Sequence, residues 1–383
     1  MIEENILNRV SLPRALKLAQ SQGKQGHIEI AQGIYRDILE RFPKNLKAAQ
    51  GLKGLQGGSD SHKPLIEDPP ENKVQQLINL YSQGLLQPSL KYASELIAQY
   101  PRSAVLHNIC GAVYAGLQHY ESAIDSYRQA LNIKPDYADA FNNLGGALED
   151  QGDFEGAIES YRRALDIKPD SADTYNNLGN ALKNQGDLDG AIENYRKALE
   201  LRSDYAVALY NLGNALNDQG DLSGAIESYR TALEANPDYA QAYNNLGNAL
   251  KIQGCENGAI ENYRRAVSID PDYCLAHFNL GNALNDQGDL DGAIECYQRS
   301  LYITPHYPEA LNNLGNVLHA QGDLGGAVEY YRTALRIAPD YGESHTNLGR
   351  LLMKMGQHRD GLNEQKLGGG VITFHLKSGL SIS

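Results

Sequence analysis

From Phe141 to Asp150, Phe141, Leu144, Gly145 and Leu148 recur at helical spacing, and Asn142, Asn143, Gly146 and Asp150 take the opposite side. At about 100° per residue this is the two-faced pattern of an α-helix. Gln151-Gly152-Asp153 interrupts it. Gly152 suits the left-handed position that ends a helix, and Asp153 suits the N-cap of the next. A second stripe follows, with Ala157, Ile158, Tyr161, Ala164 and Leu165 on one face and Glu155, Glu159, Arg162, Arg163 and Asp166 on the other. Pro169-Asp170 stops it. The pattern predicts two antiparallel amphipathic helices.

The unit repeats. Between Ala104 and Tyr341 the chain carries seven consecutive 34-residue copies without insertion or deletion. A fixed period of this length predicts a stacked all-α array of helix pairs rather than one globular core. Worn copies flank it. Gly26, Ala31, Tyr35 and Pro43 keep the spacing of Gly152, Ala157, Tyr161 and Pro169, so residues 1–56 read as an N-terminal helical segment with one degenerate copy. Residues 46–56 read as one more helix. Residues 57–69, rich in Gly, Ser, Pro and charge, read as a linker. Residues 70–103 form a second weak copy, with Gly84 and Pro101 in register. A partial copy, 342–367, keeps Asn347, Leu348, Gly349 and Gly356 but has Gly361 where the others have Ala. Residues 368–383 read as an irregular or hairpin-like tail, with a β-prone run from Val371 to Phe374 and a turn signal at Lys377-Ser378-Gly379.

Glycine inside a helix costs about 1 kcal/mol relative to Ala. Yet Gly111, Gly145, Gly179, Gly213, Gly247, Gly281, Gly315 and Gly349 recur at one mid-helix position, which predicts close approach of the paired helices. Tyr127, Tyr161, Tyr195, Tyr229, Tyr263, Tyr297 and Tyr331 read as filler between neighbouring units. This unit of aromatic and Leu-Gly, a Gly-Asp turn, Ala, Tyr, Ala and then Pro resembles the tetratricopeptide repeat. The resemblance is strong over 104–341 and weak over most of 12–103 and 342–361. It implies a right-handed superhelical solenoid whose first helices line a concave groove that binds peptides or proteins, with no chemistry of its own. Departures are Ser203 for Pro, Gln118 for the turn Gly and Cys255 for the N-cap Asp.

The polar face of the first helix is rich in short amides. Asn143, Asn177, Asn211, Asn245, Asn279, Asn313 and Asn347 recur once per unit, and Asn180, Asn214, Asn248, Asn282 and Asn316 stand one turn on. Asn142, Asn176, Asn244 and Asn312 lie beside them. Asn is a mediocre helix former, so local propensity does not explain the row. A carboxamide offers donors and an acceptor and so matches a peptide backbone. The row is similar to the asparagine ladder of the O-linked N-acetylglucosamine transferases, and that resemblance implies a backbone-gripping role for Asn143 through Asn347. The alternative is that the amides bond between neighbouring repeats or keep the face hydrated. A basic clamp for a C-terminal carboxylate is not supported, because Asn142 and Asn143 occupy the corresponding stretch.

Net charge is −13, which argues against nucleic acid as a partner. Much of the acidity is structural: Asp153, Asp187, Asp221, Asp289 and Asp323 read as N-caps. Glu159–Arg163, Glu193–Lys197, Glu261–Arg265 and Glu295–Arg299 stand at i,i+4. Cys110, Cys255, Cys274 and Cys296 have no metal-ligand spacing, and Cys110 replaces a core Leu. Asp-Leu-Asp-Gly at 187–190 and 289–292 lacks the other ligands of a calcium loop. No catalytic, cofactor or metal motif is found, no apolar run spans a membrane, and the N-terminus does not read as a secretory signal. The expectation is a cytoplasmic, non-catalytic scaffold that binds a peptide or protein partner. The alternative is the substrate-recruiting arm of a protein-modifying enzyme, a glycosyltransferase or hydroxylase, whose catalytic domain is not in this chain. A third reading is self-association through the repeat ends.

Overall fold

The computed structural model describes residues 10–24, 27–59, 68–369, 372–375 and 379–382. They fall into two compact units. One reaches to Leu117 and includes Asn132–Lys134; the other comprises Gln118–Leu131 and the chain from Pro135 onward. The first unit holds α1 (Leu12–Lys24), α2 (Ile28–Arg41), α3 (Leu46–Ser59), α4 (Glu71–Ser82), α5 (Leu86–Gln99) and α6 (Ala104–Gly116). Ala15, Ala19, Ile34, Tyr35, Ile38 and Ala48 form one core, and Leu77, Ala93, Leu96, Leu106 and Cys110 another. Helix α3 runs to Ser59, beyond Gly57 where the sequence suggested a linker. Residues 60–67 of that linker, residues 1–9 and Gly26 lie outside the described residues.

After α7 (Tyr120–Ile133) come seven helix pairs. They are α8 (Ala138–Gln151) with α9 (Phe154–Ile167), α10 (Ala172–Gln185) with α11 (Leu188–Leu201), and α12 (Ala206–Gln219) with α13 (Leu222–Ala235). Then come α14 (Ala240–Ile252) with α15 (Glu256–Ile269), α16 (Cys274–Gln287) with α17 (Leu290–Ile303), and α18 (Pro308–Gln321) with α19 (Leu324–Ile337). The last pair is α20 (Gly342–Lys354) with α21 (His358–Leu367). Strands β1 (Ile372–His375) and β2 (Gly379–Ile382) pair antiparallel, with Ile372 opposite Ile382. Val371, Lys377 and Ser378 of the expected run and turn lie outside the described residues.

The turn inside each pair follows from its residues. The Asp153, Asp187, Asp221, Asp289 and Asp323 carboxylates accept from the backbone N–H three residues on, at 2.9–3.1 Å. The Asp-Leu-Asp-Gly segments are therefore helix caps. Cys255 stands at this place without a side-chain cap bond. Gly152 ends α8 at φ 88°, and Gln118 holds a comparable left-handed φ of 61° despite its Cβ. Of the expected ion pairs, Glu159–Arg163 and Glu193–Lys197 form, whereas Arg299 turns away from Glu295 to Asp272 at 2.8 Å.

The mid-helix glycine and the tyrosine belong to one device. A Cβ on Gly145 would stand 2.6 Å from Tyr161 Cε1, and the same holds at Gly179 with Tyr195 and Gly213 with Tyr229. The ring lies flat on the first helix of its own pair, and the tyrosines from Tyr161 to Tyr331 are at most 2% exposed. The ring thus packs within its pair first, rather than only between units as the sequence suggested. The last pair dispenses with it. Gln365 takes the tyrosine place, and a Cβ on Gly361 would stand 2.8 Å from the Gly349 carbonyl, so α20 and α21 meet backbone to backbone.

Two adjacent glycines test this device. Gly145→Ala drives a methyl into the Tyr161 ring and should destabilise by about 1–3 kcal/mol. Gly146 has only the Tyr161 hydroxyl nearby, at 3.7 Å, so Gly146→Ala should stabilise, by about 0.5–1 kcal/mol from helix propensity alone. Urea unfolding of the two variants measures the opposite signs.

Candidate functional site

The first helices of successive pairs touch one another, from α8 with α10 through to α18 with α20. No comparable contact links successive second helices among the described residues. The first-helix face is therefore the tighter, inner side of the second unit. Charged open grooves lie between second helices, one of about 540 Å³ lined by Glu159, Arg162, Arg163, Asp166 and Lys197 among others. On the inner side a smaller polar cavity of about 220 Å³ is lined by Lys251, Asn282, Asn285, Asp286, Tyr297, Asn313 and Asn316.

The asparagine row falls on this inner side. Asn143, Asn177, Asn211, Asn245, Asn279, Asn313 and Asn347 are half-buried, as are Asn180, Asn214, Asn248 and Asn282, while Asn316 is exposed. Their amides bond extensively within the protein. Asn177 donates to Asn142 Oδ1 at 3.3 Å, Asn211 to Asn176 at 3.0 Å, Asn279 to Asn244 at 2.9 Å and Asn347 to Asn312 at 3.1 Å. Every one of these bonds crosses from one repeat to the preceding one. Asn176, Asn244 and Asn312 are at most 3% exposed, so their oxygens depend on these donors.

The second Asn series has a role that the sequence reading missed. The Tyr195, Tyr229, Tyr263, Tyr297 and Tyr331 hydroxyls donate to Asn180, Asn214, Asn248, Asn282 and Asn316 at 2.7–2.8 Å. A buried phenol must find a partner, and the ring's length carries its hydroxyl through the pair to the inner face. Where Gly146 replaces the Asn, Tyr161 donates instead to Glu149 at 3.1 Å. The shared 34-residue period was the available signal: both series recur in step, always 15 residues apart. Asn245, Asn313 and Asn347 add bonds to Asn214, Asn282 and Asn316 at 2.9–3.0 Å, coupling the tyrosine of one repeat to the next repeat.

Inter-repeat pairing continues along the helix ends, with Lys183 to Asp218 at 3.2 Å and Lys251 to Asp286 at 2.7 Å. Burial pushes the Cys296 thiol up to about 11, which keeps it protonated and unreactive near neutrality. Among the described residues, no three or more His, Cys, Asp or Glu side chains gather as a metal site would require. No helix among them is long and apolar enough to cross a membrane.

Stacked antiparallel helix pairs with an inner and an outer side define a helical-repeat solenoid. The model of the TPR repeat matches residues 111–152, 147–186, 179–219, 213–254, 252–288, 281–322 and 315–356, and a second tetratricopeptide model matches 15–45. The chain belongs to the tetratricopeptide-repeat family. Solved structures similar to it include MamA, at 31% identity over 42% of this chain and 94% of that one, with a TM-score of 0.39. YrrB, titled a TPR protein with an unusual peptide-binding site, is 27% identical over 49% of this chain and 96% of that one, with a TM-score of 0.43. PilF of Pseudomonas aeruginosa is 23% identical over 54% of this chain and 94% of that one, with a TM-score of 0.50. No curated protein matches the chain. Family and fold together support a protein-interaction scaffold.

The tyrosine hydroxyls give a pH test. Burial pushes Tyr263 and Tyr331 up to about 12 from an ordinary value near 10. Below pH ~10 both folded and unfolded chains hold these protons; between ~10 and ~12 the unfolded chain alone releases them, so stability falls as pH rises through that window. The urea midpoint should drop above pH ~10. Tyr263→Phe should remove part of that drop and cost about 0.5–1.5 kcal/mol at neutral pH through the lost bond to Asn248.

Proposed function

We propose that the second unit is a non-catalytic docking surface that holds an extended peptide, or an extended segment of a partner protein, along its inner face from Asn143 to Asn347. The observation that carries this reading is the position of the carboxamides: a continuous half-buried row on the inner side, repeat after repeat. Packed helices stand roughly 8–10 Å apart and an extended chain advances ~3.3 Å per residue, so one rung meets about every third ligand residue. Amides that face a main chain are indifferent to its side chains, which suits a scaffold with several clients. The acidic surface disfavours nucleic acid as the ligand.

Panning the full chain against displayed random-sequence peptides of about 12 residues, enough to span some four rungs at ~3.3 Å per residue, tests this directly. Enrichment of peptides that the unmutated chain retains is the expected outcome. Asn211→Ala combined with Asn279→Ala should then weaken retention by roughly thirtyfold, at about 1 kcal/mol for each lost bond. Retention unchanged in folded variant protein would defeat the reading, as would failure to enrich any peptide.

A further inference from the structure

We propose that the asparagine row is divided between open rungs, Asn177, Asn211 and Asn279, which grip the ligand, and closed rungs, Asn245 and Asn313, which hold the stack together. This rests on the reading of the inner face as a peptide groove and specifies where that groove makes its bonds.

The division comes from the hydrogen-bond inventory. A carboxamide has two N–H donors and one oxygen with two lone pairs. Asn211 and Asn279 each spend one N–H on the preceding repeat, at 3.0 and 2.9 Å, and their Oδ1 atoms have no partner among the described residues. Asn177 does the same at 3.3 Å. Each keeps an acceptor and a second N–H on a half-buried side chain. Asn245 is different. It donates to the Tyr210 hydroxyl at 3.1 Å and to Asn214 at 2.9 Å, and its Oδ1 receives Asn244 at 3.2 Å. Asn313 donates one N–H to Asn282 at 2.9 Å and its Oδ1 receives Asn312 at 3.3 Å, so it is closed at its oxygen while a second N–H stays unspent.

One substitution in the repeat pattern sets two rungs. Where most units have Asn beside the ladder position, Tyr210 and Phe278 stand instead. Neither can donate an amide to its neighbour, so Asn211 and Asn279 keep their oxygens free. Neither offers a carboxamide oxygen to the following repeat, so Asn245 and Asn313 turn to the tyrosine-bonded Asn214 and Asn282 instead. Tyr210 thus opens Asn211 and closes Asn245, and Phe278 opens Asn279 and closes Asn313.

The other Asn series sharpens the chemistry. Asn180, Asn214 and Asn282 accept from tyrosine hydroxyls and keep their own N–H groups unspent. An open repeat therefore presents donor and acceptor together, the complement of a peptide C=O and N–H. In the repeat of Asn245 both carboxamide oxygens already accept a bond, so its main offer to a ligand is the N–H donors of Asn248, which meet a C=O. Asn211 and Asn279 are two repeats apart, roughly 16–20 Å, so both edges of the ligand main chain are held about every sixth residue in this stretch.

The test uses a 12-mer enriched by the panning described above, bound to the full chain, with affinity measured per folded molecule. Asn177→Ala, Asn211→Ala and Asn279→Ala together should weaken binding by tenfold or more, taking about tenfold per 1.4 kcal/mol. Asn245→Ala with Asn313→Ala should leave affinity within about twofold yet lower the melting temperature, because inter-repeat bonds are lost. Equal or greater loss of affinity in the second variant overturns the assignment while leaving the groove reading intact; absence of any enriched peptide overturns both. Side-chain amide NMR of the unmutated protein guards against misfolded variants. Added peptide should shift the Asn177, Asn211 and Asn279 resonances, and shifts centred on Asn245 and Asn313 would overturn the proposal.

Discussion

Six of the seven helix pairs from α8 onward depend on one contact: a tyrosine ring lying flat on a glycine of the paired helix. The glycine has no Cβ, so the ring comes close enough for its hydroxyl to emerge on the far side of the pair. There it needs an acceptor, and an Asn 15 residues earlier supplies one at 2.7–2.8 Å. That Asn can also accept from the next repeat, as Asn214 does from Asn245. Core packing, the polarity of the inner face and the coupling between repeats are thus consequences of a single side-chain placement. The cost of glycine inside a helix, about 1 kcal/mol, is offset by a buried aromatic ring with its hydroxyl satisfied.

Much of the scaffold was legible in the sequence because its signals are local. Asp153 and its equivalents cap helices because a carboxylate there meets an N–H three residues on, and Gly152 closes the helix because only glycine takes a left-handed φ without strain. The period supplied the rest of the stack. What was not legible depended on a choice among partners. Arg299 could pair with Glu295 on its own helix or Asp272 across the turn, and spacing alone favours the former. Gln365 in the last pair reads as a polar outlier, yet its Nε2 meets the Thr346 carbonyl at 2.7 Å in a helix contact too tight for a ring.

The Asn row was the least legible part, for the same reason. Its recurrence marked it as special, but a carboxamide that can bond a ligand can equally bond its neighbour. The structure has much of the row bonded to neighbours. Burial explains why: Asn176, Asn244 and Asn312 are nearly inaccessible, and an unpaired amide oxygen there would cost about 1–3 kcal/mol. Two aromatic interruptions, Tyr210 and Phe278, set how Asn211, Asn245, Asn279 and Asn313 are spent. They look like minor variation within a repeat, and only the crossing from one helix to the next gives them meaning.

Under the proposed function, a binding row made from the groups that hold the stack together would couple recognition to stability. A ligand that takes the open edge of Asn211 or Asn279 also orients the N–H that reaches Asn176 or Asn244. Binding along several repeats would therefore stiffen the contacts between them, and the array would resist unfolding most where it is occupied. The donors that remain on Asn180 and Asn248 sit on the oxygen-committed side chains of the tyrosine contact, so their direction is set by the core. The core ring thus fixes where these pairs can offer a hydrogen bond, and an aromatic residue beside the ladder, as at Tyr210 and Phe278, leaves the neighbouring Asn oxygen unspent.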